Sequence, residues 1–147
     1  GYDAFLSLFN LLGAHEWTKT WGGADVNEYG WSVAVGGNDS VYVTGDFEGT
    51  CDFDPGDSVD EHISNGDFDI FLSSFNEAGW YNWARTWGGE TAMDYGYGIT
   101  ADSNGNAYIA GGIAGLNLDF NPGPEIDLRN TQNADIYLMK IMPDGEW

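Results

Sequence analysis

Tyr2, Ala4, Leu6 and Leu8 fall on one face of an extended chain, and Asp3, Phe5, Ser7 and Phe9 fall on the other. Apolar residues on both faces predict a β-strand covered from two sides. A short linker containing Gly13 leads into "HEWTKTW" (His15–Trp21), and the two stretches read as a hairpin. "GWSVAV" and "SVYVTGDF" read as a second hairpin around Gly36–Asp39. Nowhere does an apolar period of 3.6 persist long enough to compete, so the pattern predicts antiparallel strands joined by tight turns.

The same pattern then recurs. Shifted by 66 positions, "DAFLSLFN" (Asp3–Asn10) falls on "DIFLSSFN" (Asp69–Asn76), and "TWGG" at Thr20–Gly23 on "TWGG" at Thr86–Gly89. "EYGWSVAV" (Glu28–Val35) falls on "DYGYGITA" (Asp94–Ala101), and "VYVTG" (Val41–Gly45) on "AYIAG" (Ala107–Gly111). From Asp3 to Phe47 the register holds without a gap and 17 of 45 pairs are identical, which chance does not produce. A third copy opens with "ADIYLMKIMPDGEW" (Ala134–Trp147). The organisation is therefore repeat 1 over 1–65, repeat 2 over 66–133, and the first strand of a third repeat over 134–147. Four antiparallel strands per repeat is the content of one β-propeller blade, so the expected fold is all-β.

Composition narrows the partners. Twenty-two glycines against four prolines suit many short strands and tight turns. Four basic against 24 acidic residues give a formal net charge of −20. That field repels nucleic-acid phosphates and anionic membrane surfaces, so neither is an expected partner. It attracts cations, and a solvated acidic face accounts for it equally well. The single cysteine, Cys51, excludes an internal disulfide, and no run of 18 apolar residues predicts a membrane-spanning helix. A chain opening on Gly1 without methionine reads as processed or cut from something longer.

The order "D-x-F-L … G … W-x-[KR]-T-W-G-G … [DE]-Y-G … G-N-x-Y-[IV]-x-G … D-F-[DN]-P-G" resembles the bacterial seven-bladed β-propeller repeat family in its long-repeat form. The resemblance covers almost the whole chain. Repeat 1 departs from it at "GGNDS", where repeat 2 keeps the Asp-x-x-Gly-Asn turn at Asp102–Asn106. It implies a secreted or cell-surface setting and a binding or structural role, and it supplies no catalytic residues. A ring of four to eight blades at this repeat length needs roughly 260 to 530 residues. The expected partners are therefore copies of the chain itself or further blades of a longer chain.

Two constellations carry candidate chemistry. In "CDFDPGD" (Cys51–Asp57), Asp52 and Asp54 alternate with Phe53, and Asp57 and Asp60 follow closely. Hard oxygen ligands beside a glycine turn are what calcium requires, and Asp119 and Asn121 keep equivalent oxygens in "LDFNPGP". The competing reading is a β-turn with Pro55 and Gly56 at its centre. The second constellation is Lys19 between Trp17 and Trp21, matched by Arg85 between Trp83 and Trp87. Alternate strand positions share a face, so each cation is expected to stack on its flanking tryptophans. Asp3, Asp69 and Asp135 recur before each first strand and read as acceptors for backbone N–H groups.

Catalytic signals are weak. "HEWTK" at His15 lacks the second histidine of a metalloprotease helix, and Tyr81 replaces His15 in repeat 2. No nucleophile elbow or phosphate-binding glycine loop occurs. The expected function is a non-enzymatic, self-assembling structural or interaction module. A carbohydrate-binding propeller, with Trp31, Trp80 and Tyr97 offering ring faces to glycans, is the alternative, followed by an accessory domain of a larger enzyme.

Overall fold

A computed structural model describes residues 1–37, 39–121, 125–131 and 133–147. The strands in chain order begin with β1 (Ala4–Phe9), β2 (His15–Trp21), β3 (Glu28–Val35) and β4 (Ser40–Phe47). Two short strands, β5 (Thr50–Asp52) and β6 (Glu61–Ile63), precede β7 (Asp69–Asn76) and β8 (Tyr81–Trp87). Then come β9 (Tyr95–Ala101), β10 (Ala107–Ala114), β11 (Leu118–Asp119), β12 (Leu128–Arg129) and β13 (Ala134–Ile141). Every named strand pair is antiparallel.

The central sheet has four strands in the order β3-β4-β7-β8, so it takes its first pair from repeat 1 and its second pair from repeat 2. The sheets are thus half a repeat out of step with the sequence repeat. On one side lies the pair β1-β2, and on the other the three-stranded sheet β9-β10-β13. "CDFDPGD" does not start a crossover to the next blade, as its place after the fourth predicted strand suggests. It lies in the small β5-β6 hairpin, an excursion between the second and third strands of one sheet. The chain can leave and re-enter there because β4 and β7 are antiparallel neighbours whose ends meet at Phe47 and Asp69.

β7 shows why both of its faces are apolar. Ile70 and Leu72 enter a core shared with Tyr42, Ile109, Met139 and Ile141. Phe71 and Phe75 enter a second core with Ala4, Trp21, Val43 and Phe53. Each face therefore belongs to a different sheet-to-sheet interface, and every residue from Asp69 to Phe75 is buried. Full burial of such side chains contributes about 1.5–3 kcal/mol each.

Glycine is required where the sheet bulges. A register shift lies between Gly30 and Ser32 in the β3-β4 pairing, and a Cβ on Gly45 would stand 1.7 Å from the Tyr29 carbonyl oxygen. Gly111 repeats the arrangement against Tyr95 at 1.8 Å. No side chain larger than hydrogen fits either place. The hairpin turns agree with the Asn-Gly expectation at Gly105, whose φ is +83°. In repeat 1 the positive φ falls on Asp39 at 62°. Asn38 in that turn lies outside the described residues.

Candidate functional site

The best-built polar contacts join one sheet to the next. Trp83 and Arg85 sit on β8, and both reach the turn that follows β13. The Trp83 Nε1–H donates to the Pro143 carbonyl at 3.0 Å, and the Arg85 Nε–H donates to the Gly145 carbonyl at 3.0 Å. Gly145 has φ +84° and lies flat under the guanidinium, where a Cβ would stand 2.8 Å from Arg85 Nη2. Arg85 also stacks on Trp83, with Cζ 5.4 Å from the ring centroid. One blade edge thereby clasps the turn of the next.

The equivalent residues of repeat 1 make the same kind of contact with different partners. The Trp17 ring lies against Gly79, whose φ is +76°, close enough that a Cβ there would stand 2.9 Å from it. Lys19 Nζ sits 5.1 Å from the centroid of Trp80, which belongs to the neighbouring hairpin turn. Lys19 thus finds its aromatic partner across the interface rather than in its own strand. Trp21 and Trp87 are buried in the two cores and are engaged there with Phe71 and Phe75, and with Tyr137. Sequence spacing places a side chain on a face, but not the ring that faces it from the next sheet.

The acidic loops hold themselves together. Asp52 Oδ1 accepts the N–H groups of Asp54 at 3.1 Å and Asp60 at 2.9 Å. Asp119 Oδ1 accepts those of Asn121 and Asp127, both at 3.0 Å. Asp54 Oδ1 accepts the Gly56 N–H at 2.8 Å, and Asp57 is exposed. Phe53 is buried edge-on against Phe47, which anchors the hairpin to the core. Asp3, Asp52 and Asp54 share the rim of a shallow polar hollow of about 280 Å³. Among the described residues no three His, Cys, Asp or Glu side chains converge as metal ligands. Residues 122–124 of "LDFNPGP" lie outside the described residues.

Four carboxylic acids are almost wholly buried: Asp69, which the sequence marks as a backbone acceptor, and Glu28, Asp46 and Asp94, which it does not single out. Glu28 accepts the Gly23 N–H at 3.0 Å, and Asp94, its equivalent, accepts those of Gly89 and Ala114. Asp69 accepts the Asn65 N–H, in keeping with an acceptor role. Burial raises Glu28 to about 7, with a further push from Asp3. Burial raises Asp46 to about 6 and Asp69 to about 6, and pushes Asp94 up as well. The recurring "[DE]-Y-G" is the one sequence signal that sets Glu28 and Asp94 apart from other acids, and it carries no sign of their burial.

An aromatic platform repeats beside these acids. Tyr29 stacks on Trp31 with centroids 5.7 Å apart, and Tyr95 stacks on Tyr97 at 5.3 Å. Trp31 Nε1–H donates to Asp46, while the outer ring of each pair is exposed.

No curated protein matches the chain. Residues 82–115, which run from β8 through β10, match the family model SBBP, described as a beta-propeller repeat. That match falls on one repeat, the same pattern recurs 66 residues earlier, and antiparallel sheets pack face to face, so the fold is one of β-propeller repeats.

Proposed function

We propose that this β-propeller module is non-enzymatic and acts by self-assembly, joining further blades through the same kind of contact that joins its own sheets, in a secreted or cell-surface setting. One observation carries the reading: both end faces of the sheet stack expose the counterparts of side chains that are buried inside it. Ile70 and Leu72 are buried between two sheets, and their equivalents Ile136 and Leu138 on β13 are exposed. Phe71 and Phe75 are buried likewise, and their equivalents Phe5 and Phe9 on β1 are exposed. Apolar side chains in matched positions on opposite ends suit a head-to-tail contact, which closes into a ring or runs on as a filament. Light scattering over a concentration series tests this. Mass rising with concentration supports it, and a constant monomer mass sinks it.

The stacked pairs Tyr29–Trp31 and Tyr95–Tyr97 favour a second reading, carbohydrate binding. They are preformed, exposed ring faces at equivalent positions of successive blades. A glycan array reads it directly, with signals that vanish in Trp31→Ala and Tyr97→Ala.

A further inference from the structure

The chain uses its few cations in one way. Lys19 Nζ lies 5.1 Å from the Trp80 centroid, Arg85 Cζ 5.4 Å from Trp83, and Lys140 Nζ 5.9 Å from Tyr108. Arg129, the fourth basic residue, is paired with Asp127. All four are engaged elsewhere, and the rings of Trp31 and Tyr97 stand exposed without a cation from their own chain.

Trp31 is the better built of the two. Tyr29 lies behind it at an interplanar angle of 21°, and Asp46 accepts its Nε1–H. Asp46 is buried, so its charge acts on the indole without water between them. A carboxylate at the N–H edge polarises the ring and strengthens the pull of its face on a cation. The ring stays open although the neighbouring sheet is in place. β9 packs along β3, where the Ile99 N–H donates to the Ser32 Oγ at 3.4 Å, and Trp31 is still 52% exposed. Tyr97 holds the Trp31 position on β9, stacked on Tyr95 at 10°. Gly112 stands there in place of Asp46, so Tyr97 lacks the carboxylate and is the weaker platform. The platform thus recurs from one sheet to the next, each time on an edge strand.

We infer that the ligand of these platforms is a cationic glycan, a chain of amino sugars with free ammonium groups, and that Trp31 is its principal contact. The inference rests on the carbohydrate reading above and names the class of sugar. A pyranose lays its C–H face on an open ring, and an ammonium on that sugar adds a charge that the ring attracts. The field of −20 favours such a ligand and repels sulfated, phosphorylated or uronic glycans. A single flat face suits a sugar ring better than a compact quaternary ammonium, which is held by a cage of rings. A polymer suits platforms at equivalent positions, because one ring engaged raises the effective concentration at the next.

Calorimetric titration of the full chain with a soluble glucosamine oligosaccharide, and with its N-acetylated form, tests the inference. The two share a backbone and differ in charge. The titration is run just above the Asp46 value of about 6, so that acid and amines are both charged. The amine form is expected to bind about tenfold tighter, in the usual range of a cation–π contact, and the gap is expected to shrink in about 1 M salt. Trp31→Ala leaves the net charge unchanged and is expected to remove most of the binding, with a smaller loss in Tyr97→Ala. Asp46→Asn is expected to narrow the ratio between the two sugars. A lysine oligomer reports adsorption to the acidic surface and is expected to bind wild type and Trp31→Ala alike. Equal binding of both sugars, lost in Trp31→Ala, overturns the preference for charge and leaves the carbohydrate reading standing. Amine binding that survives Trp31→Ala is surface adsorption and overturns the platform. A lysine oligomer that loses as much as the sugar in Trp31→Ala overturns the glycan in favour of a basic protein partner. Binding of neither sugar overturns both readings.

Discussion

Arg85 donates from Nε to the carbonyl of Gly145, 60 residues away, and so ties the edge of the central sheet to the turn beyond β13. The bond needs three things at once: a planar guanidinium, a left-handed residue without a Cβ, and a tryptophan beneath the cation. Arg85→Ala is expected to destabilise the fold by about 1.5–3 kcal/mol in urea unfolding, the range for a hydrogen bond from a charged donor, to which the stacked ring adds. Arg85→Lys recovers only part of this, because an ammonium lacks the fork that reaches the carbonyl while stacking. Equal stability of wild type and Arg85→Ala would show that the clasp contributes nothing.

Gly45 is expected to tolerate no side chain. Gly45→Ala forces a methyl group onto the Tyr29 carbonyl and opens the β3-β4 bulge, at a cost of about 2–3 kcal/mol or more. Gly98, which has open space around its Cβ position, is the control, and Gly98→Ala is expected to be near neutral. Thermal melts of the two variants side by side give the answer.

Stability is expected to rise on mild acidification, the reverse of ordinary acid unfolding. Glu28, Asp46 and Asp69 titrate at about 7, 6 and 6 in the fold, against 4.5, 3.8 and 3.8 for free groups. The fold thus prefers their protonated forms. Their contribution is complete below about pH 4 and is lost as the pH rises through 6 and 7. His62 works the other way, since burial lowers it and its contribution fades as pH falls below 6.5. One imidazole against four carboxylic acids, Asp94 being raised as well, leaves the net direction unchanged. Melting temperatures between pH 4.5 and 8 check this, and Asp69→Asn is expected to flatten the curve.

Asp52 is expected to act as a turn brace. Asp52→Asn keeps the oxygen that accepts two backbone N–H groups and changes little, while Asp52→Ala loses both bonds, about 1–2 kcal/mol. Adding a chelator or calcium is expected to leave the wild-type melting temperature unchanged. A calcium-dependent rise of several degrees, lost in Asp54→Asn, would instead assign the hollow beside Asp3 to the cation.

Local chemistry made much of this molecule readable from its residues. Alternation in "DIFLSSFN" announced a strand buried on both faces, and β7 is that strand, with Ile70 and Phe71 in different cores. The 66-residue repeat announced blades, because identical patterns pack in identical ways. The turn at Asp54-Pro55-Gly56 was legible because its hydrogen bond, from the Gly56 N–H to Asp54, stays within two positions of the chain.

What depends on a partner far along the chain was decided by the tertiary structure. Strand periodicity tells which face a residue occupies but not which edge its strand pairs with, so the half-repeat offset of the sheets appeared only once β4 met β7. Lys19 could be placed on a face with Trp17 and Trp21, yet its ring is Trp80 on the next turn. Glu28, Asp46 and Asp94 look like ordinary surface acids in the sequence. They are buried because stacking a second sheet on the first closes solvent off from whatever side chains the bulged strand ends carry inward.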